Sequence, residues 1–220
     1  MKNLNQLLLD FNYEQNFRDD DFYVGKSNFH PYELINNWPK WEKNFLNIIG
    51  EKFSGKTHLT NIFLKKFDGI KIESNLLANE NLKIIKPYQN IVLEDVNLDI
   101  DEKLIYTLFN IIDQDNKFLI ITSSEPISEI NFKLDDLKSR TKNCLLAKIE
   151  NPDDELMFAL ILKNLSDRQI TLDKRLIDFI IKRVERSYGK IFEFIYKIDK
   201  ISLKKKKSID FKIINEALEE

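Results

Sequence analysis

The chain has 220 residues, 43% of them hydrophobic, enough for a compact core in one or two domains. Its 34 Lys and Arg are balanced by 36 Asp and Glu, so no global basic field exists to hold DNA phosphates, and strong direct DNA binding is not expected. No run approaches the roughly 18 apolar residues of a membrane span, no signal-peptide pattern opens the chain, and a single cysteine excludes an internal disulfide; together these fit a reducing cytoplasm.

Residues 1–21 read as a flexible tail, in which the apolar cluster Leu7, Leu8, Leu9 and Phe11 gives way to polar sequence ending in Asp19, Asp20 and Asp21. From residue 22 to 150, short apolar runs alternate with helical patterns. Strands are expected at residues 45–49, 70–72, 91–93, 118–121 and 145–149. Helices are expected at 56–67 and 102–112, the second with Leu104, Ile105, Leu108, Phe109 and Ile112 on one face. Short apolar strands between helices imply an α/β domain, with a mainly parallel sheet covered by helices. Cys144, inside an apolar run, reads as a small buried hydrophobe.

After Asn151 and Pro152 the pattern is helical throughout, at 154–165, 173–186, 190–203 and 210–218. Residues 151–220 are therefore expected to form a small all-α domain. Pro152 is suited to the first turn of a helix, and Asp173 and Asp210 to N-caps. Lys204 to Lys207, the one local basic run, reads as a solvated loop.

The sharpest motif is Gly50-Glu51-Lys52-Phe53-Ser54-Gly55-Lys56-Thr57, which fits G-x-x-x-x-G-K-[ST] between an apolar strand and a helix. Gly50 and Gly55 permit a tight turn that brings backbone N–H groups, with that of Ser54, onto phosphate oxygens. Lys56 is placed to reach the β- and γ-phosphates, and the Thr57 hydroxyl to ligate Mg²⁺. A second strand ends in Glu94-Asp95. Two acids there can hold Mg²⁺ through water (Glu94) and orient an attacking water (Asp95); in the alternative, Asp95 serves the metal and nothing serves as base.

Four further residues could complete such a site. The strand at 118–121 leads to the hydroxyls Ser123 and Ser124, which can bond a phosphate or form a turn. Arg140 precedes the last strand, where its fork of donors can grip a phosphate or make a surface ion pair. Lys190 opens a helix after Tyr188-Gly189, with a positive charge but no fork.

Together these residues resemble the DnaA-related AAA+ ATPases from residue 22 onward. Phe22-Tyr23-Val24-Gly25-Lys26-Ser27-Asn28 resembles the segment that wraps adenine in that family, which implies contacts from Phe22, Val24 and Gly25. The His58-Leu59 pair after the phosphate loop is shared, and Leu137-Lys138-Ser139-Arg140 resembles the arginine-finger box. The resemblance implies a P-loop AAA+ domain followed by a helical lid, with ADP or ATP and Mg²⁺ as cofactors. It also implies that the strand ending at Ser123 lies between the other two, that Ser123 or Ser124 senses the γ-phosphate, and that Lys190 takes the lid-sensor position. Arg140 becomes a finger acting in trans, so a homo-oligomer is compatible with it.

Residues 6–11 are similar to the sliding-clamp-binding peptide of the Hda-like branch of that family. Gln6, Leu7, Leu9 and Phe11 would make the contacts, with Gln6 at the pocket rim and Leu9 and Phe11 as apolar anchors. A strand or staple on the chain's own domain is the other reading. DnaA's DNA-binding domain has no counterpart in the 220 residues. The branch resemblance implies a nucleotide-bound regulator, with the polymerase sliding clamp and DnaA as partners. Arg140 would complete the ATP site of DnaA, drive hydrolysis there and inactivate the initiator. The Glu94-Asp95 order and Lys190 in place of arginine depart from the family pattern and leave the chain's own hydrolysis open. The alternative is a DnaA-related or helicase-loader-like ATPase or adaptor with its own ATP cycle.

Overall fold

A computed structural model describes residues 22–219. The tail and the clamp-peptide residues Gln6, Leu7, Leu9 and Phe11 lie outside the described residues.

The five expected apolar runs form strands β1 (Phe45–Ile49), β2 (Gly69–Glu73), β3 (Asn90–Val96), β4 (Phe118–Ser123) and β5 (Leu145–Lys148). All neighbours pair in parallel, in the order β2-β3-β4-β1-β5. β4 thus lies between β1 and β3. The chain leaves β1 for the far edge and works back to it, so the carboxyl ends of β1, β3 and β4 meet beside a crevice, the usual ligand position in open α/β sheets.

Side chains alternate across each strand and build a core on either face. On one face α2 (Lys56–Lys66) lays Leu59 and Phe63 over Leu46, Ile48, Val92 and Ile120. On the other, α4 (Glu102–Gln114) packs Ile105, Leu108, Phe109 and Ile112 against Phe45, Ile91, Leu93 and Leu119. Each such fully buried side chain contributes about 1.5–3 kcal/mol relative to exposure. Three short helices were not evident from periodicity: α1 (Phe29–Asn36), α3 (Asn79–Ile84) and α5 (Asp135–Lys142). α5 shows why, because among its charged residues only Leu137 and Thr141 are buried.

Helices α6 (Asp154–Asp167), α7 (Lys174–Ile181), α8 (Tyr188–Lys205) and α9 (Phe211–Glu219) surround a separate core that includes Met157, Ile161, Ile177, Ile195, Ile198 and Ile214. Local details correct the sequence reading. Asp153, not Pro152, starts α6, its carboxylate accepting from the Leu156 N–H at 2.9 Å. Asp210 accepts from the Lys212 and Ile213 N–H groups at 3.0 and 2.9 Å, whereas Asp173 stands at the N-cap of α7 without a side-chain cap bond. α7 stops at Ile181, well before Arg186, because the sequence then turns polar and the extended Ser187 starts α8. The lysine run is partly helical: Lys204 and Lys205 close α8, and Lys206, at φ 52°, ends it. Cys144 is half-buried against the α4 core, and burial pushes its thiol up to about 12. Among the described residues, no helix is long and apolar enough to cross a membrane.

Candidate phosphate-binding site

β1 runs directly into the loop 50–55, and α2 begins at Lys56, so the N-terminus of α2 faces the crevice. The two glycines are required by shape. A Cβ on Gly50 would stand 2.7 Å from Ser54 Oγ and 3.1 Å from Ile149 Cβ. Gly55 has φ +98°, and a Cβ there would also meet the Phe22 ring at 3.2 Å. A cleft of about 380 Å³ opens over the loop, bounded by residues 52–58, by Asp95, Val96 and Asn97 from the end of β3, and by Ser124.

Lys56 is buried in the floor of this cleft, and its ammonium donates to the carbonyls of Gly50 (2.7 Å) and Glu51 (3.0 Å). Burial lowers its pKa, opposed in turn by the charges of Asp95, Glu51 and Glu94. Beside it the Ser54 hydroxyl is buried without a hydrogen-bond partner. Such an orphaned group costs about 1–3 kcal/mol, and an anionic oxygen in the loop would satisfy it. The cation, the orphaned hydroxyl and the helix N-terminus converge as an anion site. Thr57 lines the same cleft. Among the described residues, no three His, Cys, Asp or Glu side chains cluster as a protein-only metal cage. Thr57 and Asp95, both lining the cleft, are the residues that would hold Mg²⁺ beside phosphate oxygens and water.

The two acids of β3 part company. Glu94 is 2% exposed, accepts a hydrogen bond from the Thr60 hydroxyl of α2, and pairs with Lys71 of β2 at 3.5 Å. It does not line the cleft, contrary to the expected role facing Mg²⁺. Next along, the register shifts between Leu93 and Val96, and Asp95 takes φ 54° while its N–H donates to Thr122 Oγ1 at 2.9 Å. This bulge turns the Asp95 carboxylate out at the cleft.

The hydroxyls of β4 divide in the same way. Ser123 is buried, accepts from Asn47 Nδ2 at 2.9 Å and donates to the Glu125 carbonyl at 2.6 Å. Ser124 is exposed and lines the cleft. Lys190 is exposed and paired with Glu193 at 3.1 Å, which raises its pKa through that hydrogen bond and charge. The structure thus does not bring Lys190 to the loop. Arg140, on α5, also lies away from this cleft, in an ion pair with Asp113 and 5.8 Å over the Tyr106 ring.

The segment 22–28 folds against the loop. Asn28 pins it, accepting from the Gly25 N–H and donating to the Tyr23 carbonyl, both at 2.8 Å. Phe22 stacks on Tyr32 at 5.9 Å and meets the buried His58 edge-on at 5.1 Å, while Val24 is half-buried. Sequence reasoning missed Thr60, Lys71, Asn47 and Glu51. Asn47 carried a signal, since a polar residue inside a fully buried strand must find partners. The others follow only from three-dimensional placement.

The chain matches no family model. It is 26% identical over 197 residues to the chromosomal replication initiator protein DnaA of Helicobacter hepaticus, covering 78% of this chain and 42% of that protein. An uncharacterized protein of Haemophilus influenzae is 24% identical over 212 residues, covering 90% of this chain and 92% of the relative. Domain III of the Thermotoga maritima replication initiation protein DnaA superposes with a TM-score of 0.73 at 22% identity, covering 92% of this chain and 95% of that one. AMPPCP-bound DnaA from Aquifex aeolicus gives 0.63 at 23% identity, covering 84% and 64%. The chain spans about half the length of the curated DnaA proteins it matches. In sequence it is similar to DnaA, and in fold it matches the P-loop AAA+ domain of these structures, followed by a helical part.

Proposed function

We propose that this DnaA-related P-loop protein binds ADP or ATP with Mg²⁺ and regulates replication initiation by acting on DnaA, as an Hda-like protein. The nucleotide phosphates would lie on the loop 50–55, with Lys56 and Ser54 as donors and the metal shared by Thr57 and Asp95. Phe22, Val24, Gly25 and His58 would border the base, and Ser124 the terminal phosphate. AMPPCP in the Aquifex aeolicus DnaA structure supports a nucleotide as the ligand class.

The observation that carries the trans role is Arg140. It stands at the surface, outside the chain's own cleft, in a pair with the half-exposed Asp113. An exposed pair of this kind is worth about 0–1 kcal/mol, so the guanidinium can exchange Asp113 for a phosphate on another molecule. A finger supplied in trans raises NTP hydrolysis by about 10³–10⁵-fold in NTPases generally. Only one of the two acids reaches the cleft, which favours holding a nucleotide over hydrolysing it. The motif-like residues Gln6, Leu7, Leu9 and Phe11 would recruit the protein to the sliding clamp.

The test is phosphate release from ATP-loaded DnaA, with clamp loaded on DNA, in the presence and absence of this protein. Stimulation is expected, and both Arg140→Ala and deletion of residues 1–11 should remove it. Equal release with and without the protein would refute the trans role, and full stimulation by Arg140→Ala would place the finger elsewhere.

A further inference from the structure

The phosphate-loop motif leaves positions 51 and 53 free, yet here both reach across to α8. The Glu51 carboxylate accepts from the Tyr188 N–H, from the Gly189 N–H at 3.2 Å and from the Ser187 hydroxyl at 3.0 Å. It therefore satisfies two of the orphan donors that every helix N-terminus exposes, with a negative charge at the positive end of an 18-residue helix. Phe53 stacks on Phe192 with centroids 4.5 Å apart and planes 13° from parallel. The Arg168 guanidinium, at the C-cap of α6, lies 5.5 Å from the same Phe192 ring. Phe53 holds φ 69°, an uncommon conformation for an aromatic residue that its surroundings must maintain. Residues 188, 189 and 192 follow one another around one face of α8, so the loop grips the helix over its first two turns. Lys190 is turned away to Glu193 and takes no part.

We propose that Glu51 and Phe53 latch the phosphate loop to α8, so that nucleotide binding and the seating of the C-terminal bundle are coupled through the loop itself. The coupling rests on the nucleotide reading above. Lys56 is the link: its ammonium holds the Glu51 carbonyl, the same residue whose side chain caps α8. A phosphate that draws Lys56 toward itself removes that tie. It also adds a second anion to the loop that carries the Glu51 carboxylate, and like charges repel. Nucleotide therefore loosens the latch. Because coupling between two equilibria is reciprocal, a chain without the latch binds nucleotide more tightly. Glu51 and Phe53 act as positioning residues, setting the bundle on the loop.

The experiment follows hydrogen exchange at the Tyr188 and Gly189 amides in the full chain, with and without ADP, alongside calorimetric titration of ADP. In the wild-type chain, ADP should bind and speed exchange at these amides. Glu51→Ala should exchange there about tenfold faster before any ADP is added, the loss expected for charge-assisted bonds. It should show little further change with ADP and bind ADP severalfold more tightly, with Glu51→Gln intermediate. Phe53→Ala, which keeps the cap, should move both readouts the same way by less and serves if Glu51→Ala does not fold. Wild-type binding of ADP with unchanged or slower exchange, or a Glu51→Ala or Phe53→Ala affinity no greater than wild type, would overturn the coupling alone. No ADP binding by the wild-type chain would overturn the nucleotide site and the coupling with it.

Discussion

The phosphate loop and the strand tips face each other across one cleft but equip it differently. The loop contributes mainly backbone and one cation, and its parts converge: Gly50 and Gly55 allow the turn, Lys56 lies in the floor, and the Ser54 hydroxyl awaits an acceptor. The tips of β3 and β4 contribute side chains, and half of these are committed elsewhere. Glu94 is held by Thr60 and Lys71, and Ser123 by Asn47 and Glu125, leaving Asp95 and Ser124 at the cleft. The loop side of the cleft thus gathers its donors, while the strand side offers one acid and one hydroxyl; the proposed trans role requires no more than that of the chain's own cleft.

The largest effect that would break this contrast is at the loop. Lys56→Ala should lower ADP affinity by about a hundredfold or more, since it removes a charge-assisted contact to phosphate; unchanged affinity by titration would remove the loop from the account. Next come the two acids, which should fail in opposite ways. Glu94→Gln should cost about 1–3 kcal/mol of stability in denaturant unfolding through its buried partners, with ADP binding kept. Asp95→Asn should leave stability unchanged and abolish the effect of Mg²⁺ on ATP affinity. A reversal of that pattern would restore Glu94 as the metal's carboxylate.

Smaller effects sharpen the edges. Burial holds the Cys144 thiol up to about 12, against 9.0 unperturbed, so it stays protonated to higher pH. At pH 8 its alkylation should be about a thousandfold slower than that of a free thiol, and denaturant should restore the rate. Fast alkylation of the native chain would show that the region opens. Lys190→Ala should shift ADP affinity by no more than about twofold, because its partner is the exposed Glu193 of its own helix. A larger loss would mean that α8 swings in to deliver this lysine.

The sheet was legible in the sequence because its central strands β1, β3 and β4 are buried almost throughout and read as short apolar runs, and the partly buried edge strands β2 and β5 still carry short ones. α5 was not, since eight residues with two buried positions leave no periodicity to find. Within the site, Gly50, Gly55 and Lys56 were legible because their tasks depend on backbone conformation and motif spacing. Glu94 and Asp95 were found as a pair but not sorted, because a bulge at Asp95 decides which carboxylate faces the cleft. Glu51 occupies a position the motif leaves unspecified, and its partners lie 136 to 138 residues away in sequence, so only the folded chain reveals its cap on α8.

The central claim, that the loop 50–57 holds a nucleotide, is tested most directly by equilibrium titration of the full chain with ADP in the presence of Mg²⁺. The account predicts saturable binding of one ADP per chain. Absence of binding at millimolar ADP, in a chain that unfolds cooperatively and is therefore folded, would contradict it.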